Sequence, residues 1–88
     1  MRKLEITRDA YKFVLDLDAK PFRQVVRKMF SLLSDPQAAD ASKMRGYDYW
    51  RVDIGEFRIV YHFDDENTYV VLIGKRNDDE VYKNLDRK

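Results

Sequence analysis

The spacing of apolar positions changes once along this chain, from a helical period to a strand period. Phe22, Val25, Val26, Met29, Phe30 and Leu33 recur at i, i+3, i+4, i+7, i+8 and i+11, which places them on one face of a helix. Asp18 suits the cap before this helix, and Pro21 is tolerated in its first turn, where the N–H that proline lacks has no partner to lose. The helix should end near Ser34, because Pro36 disfavours α conformation at the residue before it. Upstream, residues 2–6 (RKLEI) alternate as a short strand. Thr7 is an N-cap candidate for a first helix running to about Leu17, with Tyr11, Val14, Leu15 and Leu17 as its apolar stripe. After a polar loop from Pro36 to Lys43 the period becomes two, predicting strands at about 48–54, 57–64 and 68–75. The expected architecture is α+β over residues 1–88 as one domain. It comprises an N-terminal strand, an antiparallel two-helix hairpin on one sheet face, a small antiparallel meander, and a short C-terminal helix or tail.

The first two predicted strands form the stretch RVDIGEFRIVY. Gly55-Glu56 reads as a two-residue loop, and Gly at its first position suits a type II′ turn. Ile54 then pairs with Phe57, Asp53 with Arg58, Val52 with Ile59 and Arg51 with Val60. Side chains alternate along a strand, so Trp50, Val52, Ile54, Phe57, Ile59, Tyr61 and Phe63 share the face toward the core. Arg51, Asp53, Arg58, Val60 and His62 share the other, which is expected to be uncovered. Two readings fit that outer face. One is a solvated sheet surface with an Asp53–Arg58 pair contributing ~0.2 to 1 kcal/mol. The other is an anion site, since the planar donor fork of a guanidinium matches phosphate oxygens.

Composition narrows the choice of chemistry. With 88 residues, 44% of them apolar, the chain can form one packed domain. There is no Cys, hence no disulfide, thiolate nucleophile or thiolate metal site. No metal-ligand spacing occurs, and no cofactor motif is present. The N-terminus carries no apolar signal region, and no apolar run is long enough to span a membrane, so a cytoplasmic location is expected. Net charge is only +1, from 17 Lys plus Arg against 16 Asp plus Glu. Any polyanion site must therefore arise from local clustering. The last strand supplies such a cluster: Gly74 permits close approach, Lys75 and Arg76 add adjacent cations, and Tyr82 adds a phenol that can stack or donate. His62, the one histidine, reads as a surface or packing residue, and Asp64-Asp65-Glu66 as a solvated turn.

The sequence resembles the RelE branch of the RelE/ParE toxin superfamily over nearly its whole length. The residues that carry the resemblance are Lys43-Met44-Arg45-Gly46, Phe57-Arg58-Ile59-Val60-Tyr61, and Gly74-Lys75-Arg76 followed by Glu80-Val81-Tyr82. It implies a metal-independent, ribosome-dependent endoribonuclease that cuts mRNA during translation, and a hetero-oligomer with a RelB-like antitoxin that inhibits it. Carried over residue by residue, Arg51 matches a basic position on the first arm and Arg58 the arginine that stabilises the phosphorane. Arg76 matches the arginine assigned to the leaving 5′-oxygen, and Tyr82 the tyrosine that orients or stacks the nucleotide. Lys43 and Arg45 are candidates for RNA binding, and Lys75 and Asp53 for further roles in catalysis. Asp53 departs from the family pattern, which often has a second Lys there as general base. A carboxylate beside Arg58 either accepts the 2′-OH proton or neutralises Arg58. Two alternatives remain: a ParE-type gyrase inhibitor and a catalytically weak antitoxin-binding partner.

Overall fold

A computed structural model describes residues 1–77. The elements are β1 (Lys3–Ile6), α1 (Arg8–Leu15), α2 (Ala19–Ser34), β2 (Ala41–Lys43), β3 (Trp50–Ile54), β4 (Phe57–Phe63) and β5 (Asn67–Lys75). The strands form one sheet in the order β1-β5-β4-β3-β2. All neighbours are antiparallel except β1, which lies parallel to β5 at the edge, with Leu4 opposite Thr68 and Ile6 opposite Val70. The expected α+β architecture is therefore present. Two features differ from the expectation: β2 lies in the stretch expected to be a polar loop, and β1 pairs parallel to β5. The expected C-terminal helix or tail lies largely outside the described residues.

Local chemistry explains the helix starts. The Thr7 hydroxyl accepts from the Ala10 N–H at 3.2 Å and donates to the Val71 carbonyl at 2.7 Å, so one side chain both caps α1 and ties it to β5. Asp18 occupies the N-cap of α2 in extended conformation but makes no side-chain capping bond. The apolar stripe of α1 differs from the expectation. Ala10 and Val14 are buried and Phe13 and Leu17 pack against the core, whereas Tyr11 and Leu15 are half-exposed. Positions 10, 13, 14 and 17 form an i, i+3, i+4, i+7 face, with the small Ala10 fully buried at its N-terminal end. On α2 the face is rotated slightly: Val25, Met29, Leu32 and Leu33 are buried, and Phe30 is exposed.

The pairing of β3 with β4 is that expected from the Gly55-Glu56 turn, from Ile54 opposite Phe57 through Arg51 opposite Val60. Gly55 has φ +58° and among the described residues no non-glycine residue has positive φ, which fits a turn with its left-handed residue first. Val52, Phe57, Ile59 and Tyr61 are buried between sheet and helices with Val25, Met29 and Leu32. The Tyr61 hydroxyl donates to the Pro36 carbonyl, and the buried Thr68 hydroxyl donates to that of Leu32, so both polar groups on this face are satisfied.

The outer face is not uniformly open. A register shift at Val60/Tyr61 sets Val60 opposite Leu72 and Tyr61 opposite Val70, leaving Val71 as an extra residue on β5. Val71 and Leu72 join Val60 and Met44 in a second buried cluster, edged by Tyr47 and Tyr49. The loop after β2, which turns at Gly46 (φ +83°), thus covers the middle of the outer face, and Val60 is fully buried.

Candidate functional site

At the end of the outer face beyond this loop, charged residues from β3, β4 and the segment just after β5 converge. Asp53 on β3 lies opposite Arg58 on β4, and Arg58 in turn lies opposite the buried Gly74 on β5. Arg58 donates from Nε to Asp53 Oδ1 at 2.8 Å and from Nη2 to Oδ2 at 3.3 Å, a two-pronged pair. The Arg58 side chain is only 12% exposed, while that of Asp53 is 36% exposed. The guanidinium is therefore held in a fixed plane, with the carboxylate on its solvent side.

The Asp53 carboxyl is held below its ordinary value. Its hydrogen bonds from Arg58 are the main cause, opposed by partial burial and reinforced by the positive charges of Arg58, Arg51 and Arg76. Arg58 thus binds the carboxylate directly, and Arg51 and Arg76 lie near enough for their charges to favour its ionised form. Arg76 is placed by the β5 end, where its backbone N–H donates to the Glu56 carbonyl at 2.9 Å beside the hairpin turn. Arg51 borders a small polar cleft of about 90 Å³ with Asp40, Ser42, Val52 and Asp53.

Of the residues singled out in the sequence, Arg51, Asp53, Arg58 and Arg76 are therefore brought together. Lys75 pairs with the core-facing Phe57 and Lys43 with Trp50, so strand alternation directs both away from the arginine face. Arg45 is exposed in the loop over the sheet. Tyr82 lies outside the described residues. Ser42 and Asp40 belong to the site's border and were missed, because a three-residue strand is too short to show a period. His62 is stacked on Tyr69, with ring centres 4.5 Å apart and planes 15° apart, and is flanked by Tyr49 at 5.8 Å. This is a cross-strand packing role. Among the described residues no three His, Cys, Asp or Glu side chains are grouped to hold a metal ion, and no helix is long and apolar enough to cross a membrane. A depression of about 430 Å³ between the helix-hairpin turn and Gly55-Glu56 is lined by Asp16, Asp18, Lys20, Gln24, Glu56 and Phe57, so its charge is mainly acidic.

A family model described as the ParE toxin of the type II toxin-antitoxin system, parDE, matches residues 4–80. The chain belongs to the RelE/ParE toxin superfamily. Among solved structures it is similar to the isolated E. coli RelE toxin, at 25% identity and a TM-score of 0.75, covering 99% of this chain and 97% of that one. The intact E. coli RelBE toxin-antitoxin complex matches at 26% identity and a TM-score of 0.73, covering 85% of this chain and 96% of that one. A YoeB/ParE toxin from Agrobacterium tumefaciens shares the fold at 21% identity and a TM-score of 0.72, covering 84% of this chain and 98% of that one. No curated protein gives a significant match. The RelE-like similarity extends through the helices and the whole sheet, so the arginine cluster sits on a toxin scaffold.

Proposed function

We propose that this toxin is a ribosome-dependent mRNA endoribonuclease of the RelE kind, acting in the cytoplasm and inhibited by a RelB-like antitoxin in a hetero-oligomer. The observation that carries this reading is the convergence of Arg51, Arg58 and Arg76 around a single anionic group. A carboxylate in that position stands where a phosphate would be stabilised. The similarity to the RelBE complex supports the choice of partner.

In the proposed reaction the ribose 2′-oxygen attacks the adjacent phosphorus and loses its proton. The bond from phosphorus to the 5′-oxygen breaks, and that oxygen takes up a proton, leaving a 2′,3′-cyclic phosphate and a 5′-hydroxyl. Charge grows on the non-bridging oxygens at the transition state. A guanidinium already fixed there stabilises it without reorganising, an effect on the order of 10²- to 10³-fold per donor. Arg58 fills that role, Arg76 supports the leaving 5′-oxygen, and Tyr82 orients the nucleotide. Asp53 acts chiefly as a neutralising partner, since a carboxylate held ionised by Arg58 is a weak base. RNA entering the site takes over Arg58 from Asp53. With no strong base in place, substrate positioning by the ribosome carries much of the catalysis.

The test is expression without antitoxin, followed by mapping of mRNA ends. Translation should stop, with cuts inside translated messages that disappear in Arg76→Ala. The family model's ParE description favours a second reading, poisoning of DNA gyrase. Inhibited supercoiling with translation intact would establish that reading in place of the first.

A further inference from the structure

We infer that the depression at the β1–β5 edge of the outer face is a guanidinium site, which holds one arginine side chain of a basic partner protein between the Tyr69 ring and the Glu5 carboxylate. It lies at the end of the sheet opposite the arginine cluster and is independent of the phosphate chemistry proposed there.

Register sets three side chains in a row. Glu5 on β1 lies opposite Tyr69 on β5, and Tyr69 lies opposite His62 on β4. Leu4 and Ile6 pack against the core, so strand alternation directs Glu5 outward. His62 stacks on one face of the Tyr69 ring, at 4.5 Å and 15°, which leaves the other face toward β1. The phenol is held at its tip as well: it donates to Asp64 Oδ2 at 3.0 Å and accepts from Asn67 Nδ2 at 3.1 Å. A phenol that donates to a carboxylate is polarised toward a more electron-rich ring. Tyr69 is thus a fixed aromatic wall whose negative face looks onto Glu5.

Glu5 and Tyr69 border a depression of about 210 Å³ lined also by Ile6, Thr7 and Val71. That is below the ~300 Å³ of the smallest sites for drug-sized ligands, and it suits a planar group on an apolar stem. The Thr7 hydroxyl is spent on the Ala10 N–H and the Val71 carbonyl. The Glu5 carboxylate is exposed and makes no hydrogen bond or ion pair among the described residues. An arginine side chain meets each feature: its plane stacks on the ring, its donor fork pairs with the carboxylate, and its methylenes cover the apolar floor. Charge decides between this ligand and a nucleic acid. The β4–β5 turn carries Asp64, Asp65 and Glu66 and abuts β1, where the Lys3 N–H donates to the Glu66 carbonyl at 2.8 Å. These acids repel a phosphate and attract a basic segment. The nearby cations do not fill the site, since Arg2 is engaged on the Asp64 carbonyl and the Phe63 ring, and Lys3 lies opposite Asn67, outside the lining.

The experiment is an NMR titration of the full chain with the peptide Gly-Ser-Arg-Ser-Gly, with the same peptide carrying neutral citrulline in place of arginine, and with guanosine monophosphate. The arginine peptide should shift the Tyr69 and His62 ring resonances saturably. The citrulline peptide should bind roughly tenfold more weakly, the scale of one lost hydrogen bond to a charged group. Glu5→Gln should weaken the arginine peptide by a similar factor, whereas Glu66→Gln, which removes an exposed charge outside the depression, should change it less than about twofold. Tyr69→Leu should abolish the saturable binding, and because Glu5 is exposed, Glu5→Gln keeps the test open if Tyr69→Leu does not fold. Equal affinity for the arginine and citrulline peptides, equal losses in Glu5→Gln and Glu66→Gln, or no saturable shift at Tyr69 would overturn the site. Guanosine monophosphate binding there more tightly than the arginine peptide would overturn it in favour of a nucleotide site.

Discussion

The two faces of the sheet are built on opposite plans, and β4 shows both in one strand. Toward the helices, Ile59 and Tyr61 are fully buried by α1 and α2, and the only polar atom they bring is bonded to the Pro36 carbonyl. Toward the outside, Val60 is equally buried, but by a short loop, and Arg58 two residues away meets Asp53 and solvent. Among the described residues the helical face is buried at Phe57, Ile59 and Tyr61, whereas on the outer face the loop covers the middle of the strand at Val60. Burial on both sides at Val60 gives Arg58 a rigid base on a central strand, where its side chain is only 12% exposed and is held by Asp53. A fixed cation next to an open surface is the arrangement that electrostatic catalysis needs, and the closed face supplies the stability that makes it fixed.

If the faces divide the work in this way, changes on one should leave the other's property intact. The largest effect is expected on the closed face. Ile59→Ala removes a fully buried side chain between sheet and helices and should cost about 2 to 5 kcal/mol of unfolding free energy. Denaturant unfolding measures it, and cleavage per folded molecule should hold. Arg76→Ala is the mirror case on the open face, where the side chain is exposed. Single-turnover cleavage should fall by roughly 10²- to 10³-fold, with the unfolding midpoint nearly unmoved. A large stability loss in that variant would blur the division.

Tyr61→Phe sharpens the comparison on the closed face. It leaves the Pro36 carbonyl without its donor and should cost about 1 to 3 kcal/mol. In the native protein the Tyr61 phenol is pushed up to about 12 by burial first, with help from the nearby charges of Asp40 and Asp35. The stability that its neutral form confers is present below the unfolded value near 10 and is lost as pH rises toward the folded one. Spectrophotometric titration of wild type against Tyr61→Phe should show this phenol ionising last or only on unfolding.

The smallest effect belongs to Asp53. Because its folded value lies below the ordinary 3.8, the pair with Arg58 stabilises above that pH and is lost as pH falls through the folded value. Asp53 is more than a third exposed, so the gap between wild type and Asp53→Asn should be only ~0.2 to 1 kcal/mol at neutral pH. It should close below about pH 4, near the ordinary carboxyl value. A gap that persists in strong acid would mean the asparagine harms packing, not charge.

Which parts of this arrangement were legible in the sequence follows from which signals are local. The β3–β4 register was legible because Gly55 fixes the turn and period two fixes the faces from Trp50 to Phe63. The Asp53–Arg58 pair came with it. Strand alternation could not tell that Val60 would be covered, since its cover comes from Met44 and the loop around Gly46, brought over the sheet by β2. β2 itself is three residues long and displays no period. On α1 the helical period alone does not choose between a stripe through Tyr11 and Leu15 and one through Ala10 and Phe13, and it is the second that packs on the core. The parallel docking of β1 depends on where Thr7 meets β5, a long-range contact with no local signature. Arg51 and Arg76 were nominated from charge and resemblance, and their joint influence on Asp53 emerges only from the sheet that carries all three.

The most direct test of the account is single-turnover mRNA cleavage on programmed ribosomes by the wild type, Arg58→Ala, Asp53→Asn and Asp53→Lys, with unfolding midpoints measured in parallel. If the open face is a phosphate site whose central arginine is neutralised at rest by Asp53, the wild type cuts and Arg58→Ala loses most of that activity. Asp53→Asn then keeps the activity, and Asp53→Lys cuts faster than the wild type. Cleavage by Arg58→Ala at the wild-type rate, or a loss of 10²-fold or more in Asp53→Asn on the scale of a missing general base, would contradict it.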